Sequence, residues 1–317
     1  MRIVLMASGD FAIPTLRSLL DRGHELPLVV TQPDRGSGRG RKVQCTATKA
    51  KALELGLEVL ATPNINDPEI VERLRSLKAD VGLAIAFGQK IGAEVRGVFS
   101  HDCINLHASL LPKYRGAAPF QWCVINGDEE TGVTTFRLVD RMDAGPIYVQ
   151  RRTMLRAQER ACELHDRLAA IGVDAVHATL EIFASNPGFE PVPQDDTLAT
   201  RAPKIAKEDG HVRFDQPAAV LVNKINGLWD WPGARCEFVS KATGKSETVM
   251  LAMARLGASD KPAEKPGTVD FRRQVATADQ YLEILEVKPS GGRLMPFEDY
   301  VNGRRIQPGD LFTPIAV

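Results

Sequence analysis

The residues best suited to chemistry lie in Cys103-Ile104-Asn105-Leu106-His107-Ala108-Ser109-Leu110-Leu111-Pro112, followed by Lys113-Tyr114-Arg115-Gly116. In an extended strand, residues two apart share a face, so Cys103, Asn105 and His107 point one way and Ile104 and Leu106 the other. An amide and an imidazole near the carboxyl end of a central parallel strand sit where open α/β sheets place ligands. The same two types also form structural hydrogen-bonded pairs. A second segment, Val139-Asp140-Arg141-Met142-Asp143-Ala144-Gly145-Pro146, puts a carboxylate on a turn whose Gly and Pro fix its path. Asp143 there can orient His107, the usual role of a carboxylate beside a catalytic imidazole, or remain a solvated turn residue.

Placing these groups requires alternating strands and helices. Arg2–Ala7, Leu26–Thr31, Asp80–Phe87 and Cys103–His107 are short apolar runs fit for buried parallel strands. Helices are expected after Asp10, over Thr46–Leu55 and from Asp67-Pro68-Glu69, where a cap, a first-turn proline and an acid coincide. The pattern predicts an α/β fold with a doubly wound, Rossmann-like, mostly parallel sheet. Arg160–Ala184 reads as one long amphipathic helix. Beyond it, proline-rich residues 187–205 read as a linker. Residues 206–317, with one helix and short strands split by Gly and Pro, suit a smaller OB-like β-barrel domain. Residues 1–186 would be the catalytic domain.

The composition narrows the function classes. The 317 residues carry 40 Lys+Arg and 40 Asp+Glu, with 44% hydrophobic residues, which excludes a disordered chain and a protein coated in basic residues. No run of apolar residues reaches the length of a membrane span. Met1–Ala7 is too short for a signal peptide, and the five cysteines show no CxxC spacing. A cytoplasmic protein without a disulfide framework or metal site is expected. Gly36-Ser37-Gly38-Arg39-Gly40 does not join a first strand to a helix, so it is not a dinucleotide fingerprint. The stretch Thr31–Lys51, however, carries Arg35, Arg39, Arg41, Lys42, Lys49 and Lys51 against Asp34, a local excess of +5 suited to phosphates.

The run Asn105-x-His107-x-Ser109-Leu110-Leu111-Pro112-x-x-Arg115-Gly116-Ala117-Ala118-Pro119, with Gly127-Asp128, Thr131-Gly132-Val133 and Asp143-x-Gly145, resembles the 10-formyltetrahydrofolate-dependent formyltransferases. The resemblance extends through Asp10-Phe11-Ala12, Thr31-Gln32-Pro33-Asp34-Arg35, Ala202-Pro203-Lys204-Ile205, Trp231-Pro232-Gly233-Ala234 and Asn302-Gly303-Arg304-Arg305, thus nearly the whole chain. It departs at Phe87, where Tyr is usual, and at Gln89-Lys90-Ile91-Gly92. It implies formyl transfer from 10-formyltetrahydrofolate to an amine, with Asn105 and His107 donating to the oxyanion and His107 and Asp143 handling the proton. Cys103 is then a packing residue. The resemblance also implies folate contacts at Ser109, Leu110, Leu111 and Pro112 and at Ala86, Phe87 and Gly88. It implies initiator methionyl-tRNA as acceptor, gripped by Arg35, Arg39, Arg41 and Lys42; a monomer without a metal is expected. In the last domain acids and bases balance, and Arg272, Arg273, Lys288, Arg293, Arg304 and Arg305 are the candidates for a basic face. An amino-sugar nucleotide is the alternative acceptor; a glycinamide ribonucleotide enzyme, an RNA-binding module without catalysis and a formate-releasing hydrolase fit less well.

Overall fold

Six residues, Arg2–Ala7, form the first strand β1, and from Ile3 on each is buried, as expected for a strand flanked on both sides in a parallel sheet. It belongs to a computed structural model that describes residues 1–37, 42–186 and 188–315. These divide into two compact units. The first is Met1–Pro119, Thr131–Thr153 and His165–Ala202; the second is Phe120–Glu130, Met154–Leu164 and Pro203–Val317.

After β1 the chain forms α1 (Ile13–Asp21), β2 (Glu25–Thr31), the short pair β3 (Arg35–Ser37) and β4 (Lys42–Gln44), α2 (Ala47–Glu54) and β5 (Val59–Ala61). Then follow α3 (Pro68–Ser76), β6 (Val81–Ile85), α4 (Ala93–Arg96), β7 (Asp102–His107), β8 (Arg115–Gly116), α5 (Pro119–Asn126), β9 (Glu130–Arg137), β10 (Ile147–Met154), α6 (Ala161–Ser185) and β11 (Arg201–Ala202). Helix signals in the sequence act locally. Thr46 Oγ1 accepts the Lys49 N–H at 3.1 Å to cap α2, and Gly23 at φ 75° ends the α1 turn. Asp67 precedes α3 but turns its carboxylate to the Asn64 amide instead of capping.

Among the described residues the sheet of the first unit has seven strands in the order β10-β9-β7-β6-β1-β2-β5. The run from β7 to β5 is parallel, and β9 returns antiparallel to β7. One face buries Val4, Met6, Leu28, Val30, Ile65, Leu74 and Cys103. On the other, α6 approaches so closely that a Cβ at Gly172 would lie 2.7 Å from Leu106 Cδ2. By length and composition α6 is apolar enough to cross a membrane, but Leu168, Val176, Leu180 and Phe183 are buried as the core stripe of a globular helix.

Two histidines should make this unit pH-sensitive. The His24 and His177 rings stack at 5.8 Å, and Ser18 Oγ lies 2.8 Å from His177 Nε2. Burial, followed by the charge of the amino terminus and Arg22, holds His24 below the ordinary imidazole value. Burial, then Arg22 and His24, does the same to His177. The unfolded chain therefore takes up these protons first. Stability should be full above the unfolded value of about 6.5, and fall as the pH drops from there through the lower folded values. Urea midpoints at pH 7.5 and 5.0 should show the decline, and His177→Gln should lessen it. An undiminished decline in His177→Gln would assign it elsewhere.

The second unit contains α7 (Ala218–Leu228), β12 (Ala234–Val239), β13 (Ser246–Leu256), β14 (Val275–Ala276), β15 (Tyr281–Pro289), β16 (Met295–Pro296), α8 (Phe297–Arg304) and β17 (Leu311–Thr313). The antiparallel order is β14-β15-β13-β12-β17, with β16 on β15. Residues Gly267–Asp270 close the ring. Val269 N–H donates to Asp310 at 2.9 Å, and Ala276 N–H donates to Thr268 at 2.9 Å. Gly267, at φ 91°, accepts the Phe312 N–H at 2.7 Å where a Cβ would lie 2.1 Å from the Phe312 carbonyl. Phe214, Leu221, Phe238, Leu251, Ile284 and Phe312 fill the barrel. Asp279, rather than nearby Asp215, accepts the first N–H of α7; Asp215 pairs with Arg213.

Candidate active site

β7 ends at His107 on the carboxyl edge of the parallel strands. Asn105 lies opposite Ala84 of β6 and Phe136 of β9, and His107 opposite Thr134 of β9. Cys103 starts the same face but is only 1% exposed, and burial, reinforced by the Asp102 charge, pushes its thiol far above the usual range. A neutral thiol within the apolar cluster is no acyl carrier. Asn105 is half-buried, and among the described residues its side-chain amide makes no hydrogen bond. Its donors are available to a ligand.

His107 is 6% exposed, and its Nε2 lies 2.8 Å from the Tyr114 carbonyl oxygen. A carbonyl only accepts, so this contact assigns the hydrogen to Nε2 and leaves Nδ1 as the nitrogen that can gain or lose a proton. Nδ1 lies 3.8 Å from Asp143 Oδ2, which in turn accepts the Gly116 N–H at 2.8 Å. Asp143 adopts φ 50°, a left-handed conformation that short polar side chains tolerate. Two residues on, the chain passes so close to β9 that a Cβ on Gly145 would sit 1.7 Å from the Arg137 carbonyl.

The groups around these three are partly legible in the sequence. Ser109–Pro112 leaves β7 in a braced loop. Ser109 Oγ donates to the Lys113 carbonyl at 2.6 Å, Thr134 Oγ1 donates to the Ser109 carbonyl at 2.7 Å, and Gln150 Nε2 donates to the Leu111 carbonyl at 2.8 Å. After β6, Ala86 and Gly88 are exposed and Phe87 is buried. The carbonyls of Phe87 and Gly88 accept from Gln32 Nε2 at 3.3 and 2.9 Å, and Ser8 Oγ donates to Phe87 at 3.1 Å. Gln89 acts locally, bonding the Ile65 N–H and the Thr62 carbonyl at 2.8 and 2.7 Å. Thr134 and Gln150 do not stand out on their strands, although a polar residue in an otherwise apolar strand is a usable signal. Nothing marks Gln194 in its proline-rich stretch, yet its Nε2 donates to the Asp143 and Gly145 carbonyls at 2.8 and 2.7 Å.

The basic stretch is less charged in space than in sequence. Arg35 is exposed and donates to Gln32 Oε1 at 2.7 Å; Lys49 pairs with Asp34 at 2.7 Å and Lys51 with Glu54. Arg39 and Arg41 lie outside the described residues, as does the side chain of Lys42, whose backbone is in β4. In the barrel Arg304 pairs with Glu247, Arg273 with Glu298 at 3.6 Å and Arg272 with Asp260 at 3.7 Å, so half of the expected basic face is neutralised. Among the described residues, no three His, Cys, Asp or Glu side chains are grouped to hold a metal ion.

An amide and an imidazole beside a carboxylate at the carboxyl edge of the parallel strands define an α/β protein with a polar site where such sheets bind ligands. Comparison with known proteins makes the class specific: the chain belongs to the formyl transferase family, whose formyl transferase model matches residues 1–180 and whose C-terminal domain model matches residues 204–305. The methionyl-tRNA formyltransferase of Moorella thermoacetica is 38% identical over 98% of this chain and 99% of its own length. That of Solibacter usitatus is 39% identical over 96% of both. Among solved structures, HypX from Aquifex aeolicus in complex with tetrahydrofolic acid superposes with a TM-score of 0.62 at 20% identity, covering 95% of this chain and 47% of HypX. The N-formyltransferase from Helicobacter canadensis, in complex with folinic acid and dTDP-3-aminofucose, gives 0.65 at 16% identity, covering 89% of this chain and 97% of that one. At such identities the two structures support the fold.

Proposed function

We propose that this protein transfers the formyl group of 10-formyltetrahydrofolate to the amino group of methionine on initiator methionyl-tRNA. The observation that carries the reading is identity of 36–39% to methionyl-tRNA formyltransferases along nearly the whole chain, both domains included. Amino-sugar formyltransferases share the fold at 16%.

In this mechanism the neutral amine attacks the formyl carbon, a C–N bond forms and the carbonyl becomes a tetrahedral oxyanion. Asn105 donates its free amide hydrogens to that oxygen, and protonated His107 donates from Nδ1. Asp143 keeps the imidazolium paired. Its Oδ1, which accepts no hydrogen bond among the described residues, takes the amine proton directly or through one water. Collapse breaks the bond to N10 of the folate, which leaves with the proton Asp143 took from the amine, returned directly or through the same water, and no covalent enzyme intermediate forms. The folate is held along Ser109–Pro112 and Ala86–Gly88, whose positions the Thr134, Gln150, Ser8 and Gln32 hydrogen bonds fix. The tRNA end is gripped by Arg35 and the adjoining Arg39, Arg41 and Lys42. A cytoplasmic reaction follows from an aminoacylated tRNA as acceptor.

The test offers 10-formyltetrahydrofolate with methionyl-initiator-tRNA or with an amino-sugar nucleotide. Formylated methionine in the first mixture, with a rate at least about a hundredfold above the second, is the expected result. The reverse ranking would reassign the acceptor, and formate release without an acceptor would make the protein a hydrolase.

A further inference from the structure

The stretch between the two regions matched by the family models has a role of its own. Residues 194–202 bond to the turn that carries Asp143 and to Tyr114, whose carbonyl meets His107. Gln194 Nε2 bridges the carbonyls of Asp143 and Gly145 at 2.8 and 2.7 Å. The amide is held in that sense by Arg115, only 9% exposed, whose Nε and Nη2 donate to Gln194 Oε1 at 3.1 and 2.6 Å. Arg115 Nη1 is anchored in turn on Asp196 at 2.8 Å. Five donors in a fixed fork dictate which end of the amide faces them, so the NH2 group has to face the Asp143 turn. Further along, Thr200 Oγ1 accepts the Tyr114 N–H at 2.8 Å, and Tyr114 is the residue whose carbonyl orients His107. The strap then pairs with β8: Arg201 and Ala202 of β11 lie in parallel register with Arg115 and Gly116. That pairing places the Gly116 N–H on Asp143 Oδ2.

We propose that Gln194 and Thr200 are positioning residues for the transfer reaction: Gln194 holds the turn that carries Asp143, and Thr200 holds the peptide that orients His107. This rests on the formyl-transfer reading above. Neither side chain touches a reacting atom; each sets the position of one that does. A carboxylate displaced by about 1 Å from the imidazole loses most of its value to a proton transfer, which depends on near-attack geometry.

Two isosteric variants test it. Gln194→Glu keeps shape and the bond to Arg115 but turns an oxygen toward two carbonyl oxygens. Thr200→Val keeps shape but removes the acceptor of the Tyr114 N–H. In Gln194→Glu we expect kcat to fall about 10- to 100-fold with KM for folate and tRNA within threefold. The Gly116 amide, protected only while Asp143 is in place, should exchange with deuterium at least tenfold faster. In Thr200→Val the kcat loss should appear with Gly116 exchange little changed, because that arm of the strap acts on His107. An Ile225→Ala barrel variant controls for general destabilisation and should leave both readouts unchanged per folded molecule. Unaltered Gly116 exchange in Gln194→Glu would overturn the assignment of Gln194; unaltered kcat in Thr200→Val would overturn that of Thr200. If Gln194→Glu does not fold, Arg115→Lys, which loses the fork on Gln194 Oε1, takes its place with the same expected exchange. The Gly116 measurement needs no substrate, so it decides the Gln194 arm even if the wild-type protein formylates another acceptor.

Discussion

Formyl transfer by His107→Ala is expected to fall about a thousandfold in kcat/KM, while tRNA affinity stays within about twofold. The reasoning starts from the hydrogen on Nε2. Because the Tyr114 carbonyl fixes it there at 2.8 Å, Nδ1 is the one ring atom able to give a proton toward the oxyanion and exchange it with Asp143, 3.8 Å away. Removing a preorganised donor of this kind costs about 10²–10³ in rate, and losing the proton relay adds to it; a thousandfold is about 4 kcal/mol of transition-state stabilisation. The truncation also leaves the Tyr114 carbonyl without its donor, so a loss of about 1 kcal/mol or more in stability accompanies it. The tRNA contacts proposed above are Arg35 and the adjoining basic residues, not His107. Steady-state kinetics with filter binding of methionyl-tRNA separates the two effects. If transfer persists within tenfold of wild type, or if tRNA binding is lost with it, His107 is not the proton-handling group.

Gly145→Ala should be nearly as damaging without altering any chemical group. A Cβ there would sit 1.7 Å from the Arg137 carbonyl and 3.4 Å from Phe136 Cδ2, so the turn has to move away from β9. Backbone cannot yield as a long side chain does, and overpacking of this kind costs about 1–3 kcal/mol. The displacement propagates directly to Asp143, two residues earlier, and removes the carbonyl of residue 145 from Gln194. We expect kcat to fall at least about a hundredfold. Thermal unfolding should move down by several degrees. A variant with wild-type kcat and a lowered melting temperature would mean that the turn can shift without carrying the carboxylate.

The two variants differ in how visible their targets are in the sequence. His107 is visible as an imidazole two residues from an amide on an apolar strand, a spacing a structural pair shares, and the motif that runs on to Pro119 marks it further. Gly145 is visible as part of Asp143-x-Gly145, although the close approach to Arg137 that requires it is not. Thr134 and Gln150 stay hidden because a strand interior reads as packing until its neighbours are known. The basic stretch misleads for a related reason: its excess of +5 already discounts Asp34, which pairs with Lys49, but not Glu54 beyond its end, which pairs with Lys51. Exposed pairs of this sort contribute little stability, but they remove the net field that a phosphate would feel.

Local rules were enough for the strands β1, β2, β6 and β7, for the helix limits at Thr46 and Gly23, and for the strand face shared by Asn105 and His107. Each depends on residues within one turn or one pleat, which the linear order already brings together. The Nε2 hydrogen on His107, the hold of Gly116 on Asp143 and the reach of Gln194 depend on residues 7, 27 and 51 positions apart. No local periodicity encodes those separations. They exist because β7, β8 and β11 and the Asp143 turn converge at one edge of the sheet, and only the packed chain decides that convergence.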